Sequence, residues 1–306
     1  MLNLNRREFV GAAAAGACAL AGVAEGQARR PRKVTDRVPL GRTGLKVSLI
    51  GIGTGTVGVN HASHQTRLGQ AKFTEMMHHA YEKGICLFDA ADQYGSYPFY
   101  REALKGLPRE KIVVQGKSNS RDPEGMRADL DRFRKELGMD YIDTLLIHCV
   151  MEPDWNVRYR GIMDVLEEAR QKKIIRAHGV SCHTYAALAT AAAEPWVQVD
   201  LARFNPWGMM MDHKPGEPRE RTPELVRSVL GDMKRAGKGV MAMKIMAEGQ
   251  MGQGPDRLDH ARASVRHALG SGVVDTMVIG FESLEQIDEL VEVTKTVLAE
   301  LAHGAA

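Results

Sequence analysis

From Val47 onward, short apolar runs alternate with longer stretches of helical period, and this alternation limits the architecture more than any other feature of the chain. The runs of strand length are VSLIGIG (47–53), ICLF (85–88), KIVVQGK (111–117), IDTLLIH (142–148), IRAHGVS (175–181), VQVDLARF (197–204), GVMAMKIM (239–246) and DTMVIG (275–280). Between them lie helical stretches such as FTEMMHHAYEKG, MRADLDRFRKELG, IMDVLEEARQKK, PELVRSVLGDMKRAG and HARASVRHALGSG, and LEQIDELVEVTKTVLAEL closes the series. Apolar strands separated by helices specify an α/β protein with a parallel sheet and helices outside. Several helical stretches end at Gly, and Thr222-Pro223 and Ser283 stand where helices begin. Eight strands and eight helices over about 250 residues have the size of a single-domain (β/α)8 TIM barrel. A doubly wound sheet is the alternative, and no GxGxxG follows the first strand to support its dinucleotide-binding form.

Residues 1–28 stand apart. Asn5-Arg6-Arg7-Glu8-Phe9-Val10, the small apolar run Gly11 to Ala24 and the end Gly26-Gln27-Ala28 follow the order of a twin-arginine signal peptide. That order predicts handling by the twin-arginine translocation machinery and a mature protein in the periplasm. The apolar run is too short to span a bilayer comfortably, so no stable membrane insertion of the mature chain is expected. Residues 29–37 read as a flexible basic linker, 38–301 as the barrel and 302–306 as a tail. Arg6 and Arg7 cancel Glu8 and Glu25, so the net charge of +3 survives removal of the signal. This small charge, without a basic stripe interleaved with aromatics, gives no footprint for nucleic acid. Of four cysteines, Cys18 leaves with the signal; Cys86, Cys149 and Cys182 remain, odd in number and widely spaced, which is no disulfide framework. His78-His79 and His260…His267 lack zinc-ligand spacing, so no metal is expected.

Chemistry in such a barrel belongs at the C-terminal strand ends. The second strand ends at Asp89, within FDAADQYG, the third at Lys117 and the fourth at His148. An acid, an amine and an imidazole therefore share one rim, with Tyr94 on the loop above the acid. A carboxylate ending an apolar strand needs a cationic partner, and Lys117 is one strand spacing away. A nearby ammonium is expected to lower the pKa of the Tyr94 phenol, making it a general acid, with His148 donating to the same substrate oxygen. The set suits protonation of an oxyanion as a carbonyl is reduced.

Across roughly residues 38–290 the sequence resembles the aldo-keto reductase family. LGRTGLKVSLIGIGT (40–54) resembles its opening strand, FDAADQYG its Asp-Thr-Ala-x-x-Tyr-Gly motif, and IIRAHGVS (174–181), RFNP (203–206) and VIGFESLEQIDE (278–289) its later blocks in order. The resemblance implies hydride transfer from NADPH, or sometimes NADH, to an aldehyde or ketone. Tyr94 would be the acid, Lys117 its partner, Asp89 the partner of Lys117, and His148 the residue orienting the carbonyl. It implies cofactor contacts from Gly53, Thr54, Ser181, Cys182, Met243, Lys244, Gly280, Phe281, Ser283 and Gln286, with NADP expected and NAD possible. Tyr97, Trp155 and Trp207 are candidate substrate contacts. The chain departs from the family at Cys182, where Asn is common, at Leu201, where Gln is common, and at Met243, where an aromatic is usual. Glu282 stands where members that hold a 2′-phosphate place a cation. A barrel that binds a cofactor or ligand without efficient reductase activity is the alternative these departures leave open.

Overall fold

A computed structural model describes residues 33–304. Strands β1 (Arg37–Pro39) and β2 (Lys46–Ser48) form an antiparallel hairpin. Eight further strands follow: β3 (Ile50–Gly53), β4 (Leu87–Asp89), β5 (Val113–Ser118), β6 (Ile142–Val150), β7 (Ile175–Cys182), β8 (Val199–Arg203), β9 (Gly239–Met243) and β10 (Thr276–Gly280). They pair in parallel, and β10 returns to β3 to close the barrel, which removes the doubly wound alternative. The long helices outside are α2 (Gln70–Glu82), α4 (Pro123–Leu137), α6 (Arg160–Gln171), α8 (Thr222–Arg235), α9 (Arg257–Gly270) and α10 (Leu284–Ala302). The shorter α3 (Tyr97–Ala103) and α7 (Tyr185–Ala193) complete the ring, and α1 (His64–Arg67) and α5 (Trp155–Arg158) are single turns in the loops.

Alternation along the strands produces two apolar layers. Leu87, Val113, Leu146, Val199, Leu201, Met241 and Val278 face inward and form one cluster with Leu40, Leu45 and Val47 of the hairpin. The other faces pack against the helices. The hairpin turn sits against the start of β9, where Arg42 N donates to Gly237 O at 2.9 Å. The hairpin thus plugs the N-terminal end of the barrel and leaves the C-terminal mouth for chemistry.

Three boundaries differ from the sequence reading. The run 47–53 divides at Leu49: its first half pairs with β1 and its second enters the barrel. Ser48 holds the junction, accepting from Cys86 N at 2.9 Å and donating to Ile50 O at 2.6 Å. The run 239–246 stops as strand at Met243, because Lys244 takes a left-handed φ of 56°. The described part of the expected linker, 33–37, is packed: Val34 is buried and Arg37 opens β1. The twin-arginine segment lies outside the described residues, among which no helix is long and apolar enough to cross a membrane.

Candidate active site

Asp89 and Lys117 are both buried at the mouth, and the Lys117 ammonium donates to Asp89 Oδ1. Gln115 Nε2 donates to the same oxygen at 2.7 Å, and Thr144 Oγ1 donates to Gln115 Oε1 at 3.2 Å. The backbone is fixed as well, since Thr54 Oγ1 and Tyr100 Oη donate to Asp89 O at 2.7 and 3.2 Å. An acid can end this apolar strand because its Oδ1 and its carbonyl oxygen are each doubly engaged.

The loop after β4 turns through a 3-10 segment, Asp92–Tyr94, and closes on Gly95 in the left-handed region at φ 64°. A Cβ at Gly95 would stand 2.1 Å from His61 O, so both conformation and space require glycine there. Arg132 pins the turn through Asp92 at 2.7 Å. Tyr94 is thereby turned inward, with its hydroxyl 3.3 Å from His148 Nε2 and its ring facing the Lys117 ammonium, 5.0 Å from the centroid.

His148 reaches this point through a bulge. The β6–β7 register slips by one residue between Ile147 and Val150, and Cys149 adopts a φ of 54°. An extra residue bends the strand and re-aims its side chains. Arg121 fastens the bulge by donating from Nη2 to His148 O at 2.5 Å and Cys149 O at 3.3 Å. Beside it, Cys149 Sγ lies 3.7 Å from His183 Nε2.

Electrostatics at the mouth overturn one expectation. The Tyr94 phenol is held well above its ordinary pKa, first by burial and then by the Asp89 carboxylate. The ammonium that was to lower it is spent on Asp89 and meets only the ring face. Burial also lowers the pKa of Lys117, opposed by Asp89. His148 lies well below the ordinary imidazole range, through burial and then the Lys117 charge, so it is neutral at pH 7. The resting site therefore contains a protonated phenol against a neutral imidazole.

A cleft runs outward from Asp89 and Tyr94 between the ends of β9 and β10 and the helix α10. Its cavity volume is about 210 Å³, somewhat below the roughly 300–1,000 Å³ typical of small-ligand pockets, and its outer part opens to solvent. Gly53, Met243, Lys244, Gly280, Phe281 and Gln286 line it. Ser181 faces inward from β7, buried, and its Oγ has no hydrogen-bond partner among the described residues. A buried hydroxyl in that state calls for a ligand polar group, and a nicotinamide carboxamide fits. Cys182, the next residue, must face the other way and lies in the outer apolar layer. Thr54 serves Asp89, and Ser283 caps α10 by accepting from Gln286 N. These three, like Ser181, are not on the cleft wall itself.

The aromatic candidates are corrected too. Tyr97 is buried away from the mouth, accepting from Lys117 N at 3.0 Å and packed at a tilt against Phe133, with ring centroids 4.4 Å apart. Trp155 is buried under α7, donating to Ala187 O at 3.2 Å. Trp207 sits edge-on to His260 of α9 at 5.7 Å, outside the cleft wall. Sequence reasoning passed over Gln115, Arg203 and His183, although period-2 alternation puts Gln115 beneath Lys117 and Arg203 above Leu201. It also passed over Gly55 and Gly58, where a Cβ would come within 2.3 Å of the Tyr94 ring.

The model of the Aldo/keto reductase family matches residues 49–302. The NADH-specific methylglyoxal reductase of Escherichia coli (strain K12) is 28% identical over 168 residues, which cover 47% of this chain and 51% of that protein. A probable aldo-keto reductase 1 of Glycine max is 31% identical, over 47% and 48% of the two chains. The chain thus spans about half the length of the curated relatives it matches. Among solved structures, an aldo-keto reductase from Bacillus halodurans in its holo form superposes with a TM-score of 0.67 at 19% identity, covering 87% of this chain and 96% of that one.

Proposed function

Given that the chain belongs to the aldo/keto reductase family, we propose that it transfers a hydride from a nicotinamide dinucleotide to an aldehyde or ketone, with Tyr94 as the general acid. The observation that carries this reading is the meeting of Tyr94 Oη, His148 Nε2 and the Asp89–Lys117 pair at one mouth, with the cleft opening beside them. The nicotinamide, when bound, supplies the hydride. Gly53, Ser181, Met243 and Gly280 would hold it. The chain's own residues manage the proton and the oxygen. Tyr94 holds its proton on Oη, kept there by burial, and releases it as charge develops on the substrate oxygen. The neutral His148 shares that oxygen through Nε2. Lys117, held by Asp89, keeps a positive charge over the ring of the phenolate that remains.

The outer cleft supports NADH over NADPH. Glu282 pairs with His64 at 2.8 Å, Arg257 with Glu289, and Lys244 with Glu248. The cations there already have carboxylate partners, and a 2′-phosphate would meet repulsion from Glu282. Fluorescence titration should give a lower Kd for NADH than for NADPH, and Glu282→Arg should narrow or reverse the gap. Tyr94→Phe should lower carbonyl reduction at least ~100-fold, the scale for losing a general acid, with NADH binding retained. Full activity in Tyr94→Phe would remove Tyr94 from its role. Failure to bind either nucleotide would favour the other reading, a barrel for a different ligand, to which the outward-turned Cys182 and apolar Leu201 lend weight. The twin-arginine pattern supports export to the periplasm. Cell fractionation of an Arg6→Lys, Arg7→Lys variant should find the protein retained in the cytoplasm.

A further inference from the structure

We propose that Arg203 binds an anionic group of the substrate, so that the carbonyl compounds this chain acts on carry a carboxylate beside the reacting carbon. The proposal rests on the reductase reading and narrows its substrate class. Val199 and Leu201 of β8 lie in the inner cluster, so Arg203, the next residue of the same parity, faces the mouth. Its partner across the β8–β9 ladder is Met243, which lines the cleft, and its charge is felt at Tyr94, Cys149 and His183.

This guanidinium is incompletely satisfied. It donates from Nη1 to Asp212 Oδ1 over a long 3.3 Å, and its buried Nε has no hydrogen-bond partner among the described residues. A buried charged donor without an acceptor is unfavourable, and 19% of the side chain remains exposed. The planar fork of Arg matches the two oxygens of a carboxylate better than it matches a neutral group. Asp212 orients the fork and, although burial pushes its carboxyl up to about 6, carries most of its charge at pH 7. Its Oδ2, like Arg203 Nε, has no hydrogen-bond partner among the described residues, so the pair holds each other through one long contact. A second guanidinium, that of Arg121, is fixed by the His148 and Cys149 carbonyl oxygens at the bulge. The wall from His148 to His183 is accordingly cationic, while the acids Asp89 and Glu248 act from the Tyr94 side.

The test compares benzoylformate with methyl benzoylformate, in turnover and in calorimetric titration, on the wild type and on Arg203→Gln and Arg203→Lys variants whose melting curves verify folding. The wild type should favour the acid in both kcat/KM and affinity. Arg203→Gln should reduce that preference by about tenfold to a hundredfold, the scale of one lost charge-assisted hydrogen bond, and Arg203→Lys should restore part of it. Equal treatment of acid and ester by the wild type, or a preference that survives Arg203→Gln, overturns the proposal. If neither compound is turned over but the acid binds through Arg203, the anion site stands and the reductase reading falls.

Discussion

Tyr94 owes its position to missing atoms. Its ring lies against Gly55 and Gly58, where any Cβ would overlap it. Gly55→Ala should therefore push the phenol off His148 and lower kcat/KM by about 100-fold, the scale of a misplacement near 1 Å, with near-native circular dichroism. Because burial and Asp89 raise its pKa, Tyr94 should contribute no tyrosinate absorbance up to pH 10, its ordinary value. A spectrophotometric difference titration between wild type and Tyr94→Phe measures this; ionisation of Tyr94 below pH 10 would contradict it. Asp89, Lys117 and His148 were legible because a polar group at the end of an apolar strand has few explanations. Cys182 was legible in principle, since the parity that turns Ser181 inward turns its neighbour out. Tyr97 and Trp155 were not, because a position in a loop or short helix does not say which way a ring points.

At the scale of the element, β8 carries opposite demands on its two faces. Arg203 looks into the mouth, while Asp200 is fully buried in the outer layer, where its neighbour is the Cys182 thiol and not, among the described residues, a cation within ion-pair distance. Burial, then Asp212, push the Asp200 carboxyl up to about 8. The native state keeps this proton to about pH 8, whereas the unfolded chain loses it near pH 3.9. The unfolded chain thus binds fewer protons between those values, and stability falls as pH rises through that window and levels off above it. Asp200→Asn should remove the slope, so its advantage in urea-melt stability over the wild type should grow from pH 5 to pH 8. An advantage independent of pH would count against the buried carboxyl. Helices α4, α6 and α8 were legible from their apolar stripes. The alanine-rich α7 has no stripe to read, and α3 is only seven residues long. The bulge in β6 left no mark in the sequence, because IDTLLIHCV reads as one unbroken strand.

For the whole molecule, the architecture was legible because eight repeats of one pattern leave few topologies, and closure of the sheet is what buries every strand on both faces. The plug was hidden, since the run 47–53 reads as one strand although it serves two layers. Leu45 fills the floor of the barrel with 2% of its surface exposed. Leu45→Ala should cost about 2–5 kcal/mol in urea denaturation and leave the geometry of the distant mouth intact, so that nucleotide affinity is unchanged while the melting temperature drops.

The seam between β10 and β3 also governs the birth of the protein. A ribosome that has released everything up to β9 has made an open sheet with two bare edges, each able to pair with a stray strand. Only when Gly280 is free can the last strand zip onto the first. Until that moment there is no ring, no mouth and no place for a nucleotide, and the nascent chain depends on whatever shields its edges.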